Sequence, residues 1–397
     1  MERVAIVAAA RTPIGRFLGS FADVSAADLG VAATRAALER ARVPAADIDE
    51  LIYGCARQAG GGPNVARQIL VTSGIPQERP AFTVNQACGS GLQAIILGAE
   101  RIRTGKSRFV LAGGTESMSR VPYLLDRART GYRLGNAAVV DGMYRDGFQD
   151  PICGMLMGET AEKLADIYKI GRDEQDQFAL ESQRRAAVAV REGRFEAEIA
   201  PVKVAGRKGE ERTVTADEHP RADTTLADLA KLPPVFREGG TVHAGNSSGI
   251  TDGAASLVLA AESAARERGL AVLAWVGESE VVGVDPAIMG IGPVPATRRL
   301  LEKTKRSLGD FDLIELNEAF AAQVLACDRE LHFDRSKLNV SGGAIALGHP
   351  IGCTGARIVT TLVHEMNRRK ARRGLATLCV SGGLGIALEL TQGGSSA

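Results

Sequence analysis

The chain reads as an α/β protein built twice over: a parallel or mixed sheet covered by helices, then a second copy of the same unit. Three observations predict this. Short apolar stretches alternate with segments of helical periodicity, the order that lays helices over a sheet. That order returns at an offset of about 265 residues. And 397 residues exceed what one ordinary core organises, so two domains are expected.

Taken in order, Val4–Ala8 reads as a buried strand and Ala26–Arg40 as a helix behind a Ser25 cap. Glu50–Tyr53 is a second strand. A turn around Cys88 leads into a helix over Gly91–Arg103, and Phe109–Ala112 is a strand that Gly113-Gly114 should stop. The second copy repeats these signals. Asp310-Phe311-Asp312-Leu313-Ile314 matches Asp47–Ile52, and Asn339–Gly355 followed by Ala356–Met366 matches the Cys88 turn and its helix. Thr377–Gly383 matches Phe109–Gly114. The division falls at residues 1–268 and 269–397, with the second copy opening near Ala271. Residues from about 119 to 248 have no counterpart and form an insertion, helical over Thr160–Tyr168 and Asp173–Glu192. Excursions of this length carry binding or assembly surfaces, or are solvated elaborations.

Composition excludes several classes. With 45% hydrophobic and 24% charged residues and a net charge of +1, the chain has no field to gather nucleic acid or an anionic membrane. No apolar run reaches a membrane span. Met1–Val7 runs straight into a strand-like stretch without a signal-peptide layout, and Gly393–Ala397 reads as a loose tail. The six cysteines form no C-x-x-C pair and no ligand spacing with histidine, so neither disulfides nor zinc are expected and a reducing cytoplasm is.

The chemistry-bearing positions sit in turns stripped of side chains. Cys88 lies in Asn85-Gln86-Ala87-Cys88-Gly89-Ser90-Gly91. There the free N–H groups and positive end of the following helix should lower a thiol pKa and bind an oxyanion. Most free cysteines are buried and structural, but three small residues opening a helix leave room for something to enter. His349 lies in Asn339–Gly355, a loop almost without side chains. Cys379 ends a strand before Ser381, Gly382 and Gly383; alone, it would read as a core cysteine. Asn317-Glu318 follows the strand Leu313–Leu316 and would orient water or cap the helix that runs through Ala326. Other matches fail: Gly105-Lys106-Ser107 lacks the first glycine of a P-loop, His364-Glu365 lacks a second histidine, and Arg368–Arg373 is the basic end of a helix.

Along almost its whole length the sequence resembles the thiolase family. Arg11-Thr12-Pro13, the Cys88 turn, Asn317-Glu318-Ala319-Phe320, the long Asn339–Gly355 block and the Cys379 block occur in family order. The resemblance implies two βαβαβαββ halves in five αβαβα layers, with a loop domain in the first. It implies acetyl-CoA C-acyltransferase activity: reversible Claisen condensation, or thiolysis of 3-ketoacyl-CoA, through an acyl-cysteine. Cys88 would carry the acyl group, His349 accept its proton, and Cys379 serve as acid/base at the α-carbon. Asn317 would hold a water that completes one oxyanion hole with His349; the N–H groups of Cys88 and Ser381 would form the other. Arg221, Ala244 and Ser248 would bind coenzyme A, and Met157, Met289, Ala319 and Phe320 would line the acyl pocket. No metal or other cofactor is implied, since coenzyme A thioesters are the substrates, and a homodimer or homotetramer is expected. Two residues depart from the family pattern. Ser381 replaces glycine, raising the question of a restricted backbone, and Leu156 replaces the histidine of acetoacetyl-CoA-forming members. The alternatives are a short-chain acetoacetyl-CoA thiolase, a ketoacyl synthase, for which a second histidine near Asn317 is lacking, and a non-catalytic coenzyme A or lipid carrier.

Overall fold

The structure, a computed structural model, describes residues 2–206 and 210–393; the tail read at Gly393–Ala397 lies past Gly393 outside the described residues. The first half runs β1 (Val4–Arg11), α1 (Ala26–Ala41), β2 (Glu50–Gly54), α2 (Val65–Thr72), β3 (Ala81–Val84), α3 (Ser90–Arg103) and β4 (Phe109–Ser117). The chain then leaves the sheet, forms α4 (Met157–Tyr168) and α5 (Arg172–Arg191), and returns as β5 (Thr251–Ala261). The second half is β6 (Ala274–Gly283), α6 (Pro293–Thr304), β7 (Leu313–Leu316), α7 (Ala321–Leu331), α8 (Ile351–Arg369), β8 (Arg373–Val380) and β9 (Leu384–Gln392).

Each element follows from its residues. Every residue of β1 is buried, which is why it reads as an unbroken apolar run rather than an alternating one. Ser25 caps α1 by accepting the Asp28 N–H at 3.0 Å, a contact worth about 1 kcal/mol. One expectation fails: β4 does not stop at Gly113-Gly114 but continues to Ser117. These glycines clear space instead of ending the strand. A methyl on Gly113 would strike the Tyr53 ring, and one on Gly114 the Gly352 carbonyl of α8.

The duplication is visible in single hydrogen bonds. Asp49 Oδ2 accepts the N–H groups of Arg108 and Phe109 at 2.7 and 3.0 Å. Asp312 Oδ2 accepts those of Arg372 and Arg373 at 2.7 and 3.0 Å. In both copies one carboxylate pins the start of the strand that leads to the site. The copies also diverge, since the partner of β7 corresponding to β3 is reduced to one bridge, Ile314 to Leu338.

Helices α1 and α2 cover one outer face and α6 the other, while α3 and α8 pack on each other between the half-sheets. This is the five-layer arrangement, with one difference. The half-sheets are hydrogen-bonded edge to edge in the order β7-β8-β9-β6-β1-β5-β4-β2-β3, joined by Ala5–Trp275 and Ile6–Ala274. The central helices meet backbone to backbone: a methyl on Gly91 would lie 2.7 Å from the Ala356 nitrogen, and one on Gly54 would lie 2.6 Å from the Gly91 nitrogen. The excursion is anchored by buried charge. Arg11 of β1 donates to Glu198 at 2.6 Å and, in a two-pronged pair, to Asp217 at 2.7 and 2.9 Å. Removing one partner of such a buried network costs about 3–5 kcal/mol.

Candidate active site

The glycine-poor half of the Cys88 turn is held by side chains. Ala87 takes a left-handed conformation (φ 43°) that costs an alanine about 1 kcal/mol or more. Two side chains offset that strain through three hydrogen bonds. Asn85 Oδ1 accepts the Ala87 N–H at 3.0 Å. Ser90 Oγ accepts the Gln86 N–H at 2.8 Å and donates to the Ala87 carbonyl at 2.7 Å. Cys88 is thereby fixed just before Gly89, the cap of α3.

His349 occupies the equivalent place in the second copy, just before Pro350, the cap of α8. Because α3 and α8 cross in contact, the duplication brings the two residues together, with His349 Nε2 3.3 Å from Cys88 Sγ. The other ring nitrogen fixes the tautomer. Thr354 Oγ donates its proton to the Pro350 carbonyl at 3.0 Å and therefore accepts from His349 Nδ1–H at 2.6 Å. Nε2 is left as an acceptor facing the thiol. Burial, aided by the fields of Arg357 and Arg57, pushes the His349 pKa down to about 3, so the resting imidazole is neutral.

The expectation for Cys88 is corrected. Its thiol pKa is raised, because burial outweighs the field of Arg57 and the N–H groups of Ser381 and Cys88 itself that face the sulfur. The resting pair is thus thiol and imidazole.

Cys379, on β8, is 1% exposed and packs with Met289 and Ala319, flanked by Met157 and Phe320. Burial and the neighbouring Cys88 push its thiol well above the ordinary range. Ser381 raises no backbone difficulty, since the left-handed positions of its turn fall on Gly382 (φ 87°) and Gly383 (φ 82°). The turn is tied to the excursion by Asp150, whose Oδ2 accepts the Gly382 N–H at 2.9 Å while Oδ1 accepts that of Ile152 at 2.7 Å.

Asn317 does not cap α7 and does not line the cavity directly. It is 1% exposed, and neither polar side-chain atom of its amide has a partner among the described residues. Glu318 is no cap either: it accepts from Ser182 at 2.6 Å and Asn339 at 2.9 Å, joining α5 to the His349 loop.

Cys88, His349, Cys379 and Ser381 share one cavity of about 380 Å³ with Leu156, Met157, Met289, Ala319, Phe320, Arg221, Ala244 and Ser248. The Ala244–Gly249 loop is docked by backbone. The Ser248 N–H donates to the Ala319 carbonyl at 3.0 Å, and the His349 N–H to that of Gly249 at 3.0 Å. Behind it, buried His243 and Asn246 both bond Asp176 of α5, at 2.7 and 3.1 Å. Sequence reasoning missed Thr354, Asp150 and two residues that line the cavity, Arg57 and His219. Thr354 stood inside the quoted glycine-rich block, five residues from His349; the other three carried no local signal.

Comparison with known proteins follows from this geometry. Residues 4–263 match the family profile of the thiolase N-terminal domain, and residues 270–392 that of the thiolase C-terminal domain. The chain belongs to the thiolase family. This thiolase chain is 52% identical to an acetyl-CoA acetyltransferase of Pseudomonas aeruginosa, over 99% of its own length and 100% of that protein. It is 51% identical to one of Escherichia coli, over 98% and 99%. Among solved structures it is similar to the Bacillus anthracis acetyl-CoA acetyltransferase (TM-score 0.97, 46% identity, 99% of both chains). It is also similar to human mitochondrial 3-ketoacyl-CoA thiolase in complex with CoA (TM-score 0.94, 43% identity, 98% of both chains).

Proposed function

We propose that this thiolase interconverts 3-ketoacyl-CoA plus coenzyme A with acyl-CoA plus acetyl-CoA through an acyl group on Cys88. The observation that carries the reading is the 3.3 Å approach of a neutral His349 Nε2 to Cys88 Sγ, in a cavity that also holds Cys379. In thiolysis His349 takes the Cys88 proton and the sulfur attacks the 3-keto carbon. The bond between the second and third carbons breaks, and its electron pair goes to the second carbon, which Cys379 protonates. Acetyl-CoA departs. Coenzyme A then gives its thiol proton to Cys379 and attacks the acyl-cysteine, while Cys88 leaves with the proton held by His349.

The N–H groups of Cys88 and Ser381 stabilise the oxyanion at the acyl carbon. The unpartnered amide of Asn317 is suited to hold a water that, with His349, binds the thioester oxygen. Arg221 would meet the nucleotide end of coenzyme A, with Ala244 and Ser248 along the pantetheine. This chemistry draws on the thioesters and calls for no metal or further cofactor. Leu156, apolar and on the cavity wall, favours chains longer than acetoacetyl, and so a broad 3-ketoacyl-CoA enzyme in degradation.

A homodimer or homotetramer is supported by apolar side chains left in solvent on the excursion, among them Leu125, Leu134 and Val139. Six unpaired cysteines support a reducing cytoplasm, and no helix among the described residues is long and apolar enough to cross a membrane. The test is thiolysis of acetoacetyl-CoA and longer 3-ketoacyl-CoAs, followed by loss of enolate absorbance. Turnover that survives Cys88→Ala, or none in the unaltered protein, removes the reading.

A further inference from the structure

Arg57 takes no proton and makes no bond in the mechanism above, where only its field is felt, yet it lines the cavity that holds Cys88. Its backbone N–H is committed to Glu116 at 2.9 Å, but its guanidinium is in no ion pair among the described residues, and Nε is buried without a partner. The guanidinium lies flat against Gly147 of the excursion. A methyl there would come within 2.7 Å of Nε and 2.8 Å of Nη2. Gly147 and its neighbours Tyr144 and Phe148, themselves in edge-to-face contact at 5.6 Å, wall the same cavity.

The cavity holds no counter-charge. Among its lining residues there is no aspartate or glutamate, and much of the wall is apolar, Leu156, Ile250, Ile351, Met157 and Phe148 among it. Glu116 feels the field of Arg57 but forms no ion pair with it: it is fully buried and accepts from the N–H groups of Ala56, Arg57 and Gly352. A second cation, Arg221, belongs to the stretch assigned to coenzyme A. Arg57 sits instead close enough to Cys88 and His349 to bias both electrostatically. A guanidinium with no direct ion-pair partner on a largely apolar wall is costly to maintain and suits a planar anionic partner.

We infer that Arg57 recognises a carboxylate on the acyl chain, so that this thiolase takes 3-oxoacyl-CoA substrates whose acyl chain ends in a carboxylate. The inference rests on the acyl-transfer reading of the same site. It makes Arg57 a specificity-determining residue rather than an acid or base, because no bond of the reaction is made or broken at it.

The test compares thiolysis of two probes of equal carbon count, 3-oxoadipyl-CoA, which ends in a carboxylate, and neutral 3-oxohexanoyl-CoA. It uses the unaltered protein, Arg57→Leu and Arg57→Lys. The expected result is a preference of about tenfold or more in kcat/KM for the carboxylated probe. Arg57→Leu should lose that preference: loss of the Arg57 field at Cys88 and His349 lowers both probes alike, while the carboxylated probe loses about tenfold more than the neutral one, chiefly through KM, and Arg57→Lys should recover part of that difference. No preference in the unaltered protein overturns the inference. So does equal loss on both probes, which would make Arg57 an electrostatic support of Cys88, or a change confined to the KM for coenzyme A. Inability to turn over either probe, or acetoacetyl-CoA, removes the acyl-transfer reading itself and the inference with it. Binding to the unaltered protein decides without any variant: adipyl-CoA should bind about tenfold more tightly than hexanoyl-CoA by calorimetry, and equal affinity overturns the inference.

Discussion

Replacing Thr354 by valine should cripple the base without touching either reacting residue. The Thr354 hydroxyl is the only partner of His349 Nδ1 among the described residues, at 2.6 Å, and both residues are buried. Valine keeps the shape and removes the acceptor. The imidazole then either keeps its proton on Nδ1, unsatisfied, or moves it to Nε2 and presents a donor to the Cys88 thiol. Leaving a buried donor unpaired costs about 1–3 kcal/mol. At about 1.4 kcal/mol per factor of ten, that is roughly a 5- to 150-fold loss in kcat/KM. Steady-state thiolysis of acetoacetyl-CoA reads the loss. Alkylation of Cys88 by iodoacetamide reads the same base without substrate, and should slow in parallel. Thr354→Ser retains the hydroxyl and should recover most of both rates. If Thr354→Val works within twofold of the original in both assays, or if serine is no better than valine, then Thr354 does not set the tautomer.

Asn317→Ala removes two buried amide atoms that have no partner, so its melting temperature should hold or rise while turnover falls about 100-fold; a melting loss with matched activity loss would mark Asn317 as structural. Asp150→Ala frees the N–H groups of Gly382 and Ile152. It should lower kcat about tenfold with little change in KM, and Asp150→Asn should restore most of it; a KM effect alone would contradict the reading. His349 is held at about 3 in the fold against 6.5 unfolded. The unfolded chain therefore binds the extra proton first, and stability falls as pH drops from 6.5 toward 3. His349→Gln should flatten that part of the stability–pH curve measured by denaturant midpoints, and an unchanged slope would show the histidine is not the group responsible.

Legibility in the sequence followed the scale of the interaction. Elements whose residues are buried on every side, such as β1, or capped locally, such as α1 behind Ser25, could be read because the signal lies within the segment itself. The Cys88–His349 pairing was legible through the repeat, since both residues precede corresponding helices. Strand β4 was misread because glycine usually punctuates, whereas Gly113 and Gly114 answer to atoms of Tyr53 and Gly352 that only the tertiary structure supplies. The Cys88 pKa went the other way for a related reason: a helix end is local, but desolvation belongs to the whole fold. Asp150 and Arg57 act across the fold on partners far away in sequence, and no window of the chain contains both ends of such a contact.

The glycine crossing of α3 and α8 has a consequence for how this site can change over time. The spacing of Cys88 and His349 is set by main chain resting on main chain at Gly54, Gly91 and Ala356. Main chain has no rotamers to try, so this spacing cannot be tuned by small steps as a packed side chain can. A single added methyl at Gly91 must push the helices apart as rigid bodies and carry the nucleophile away from its base. Much of the cavity wall, by contrast, is made of side chains, among them Tyr144, Phe148, Leu156 and Met157 of the excursion, and these can be exchanged one at a time. Chemistry is therefore frozen in the framework, while substrate choice is left free to drift along the loops.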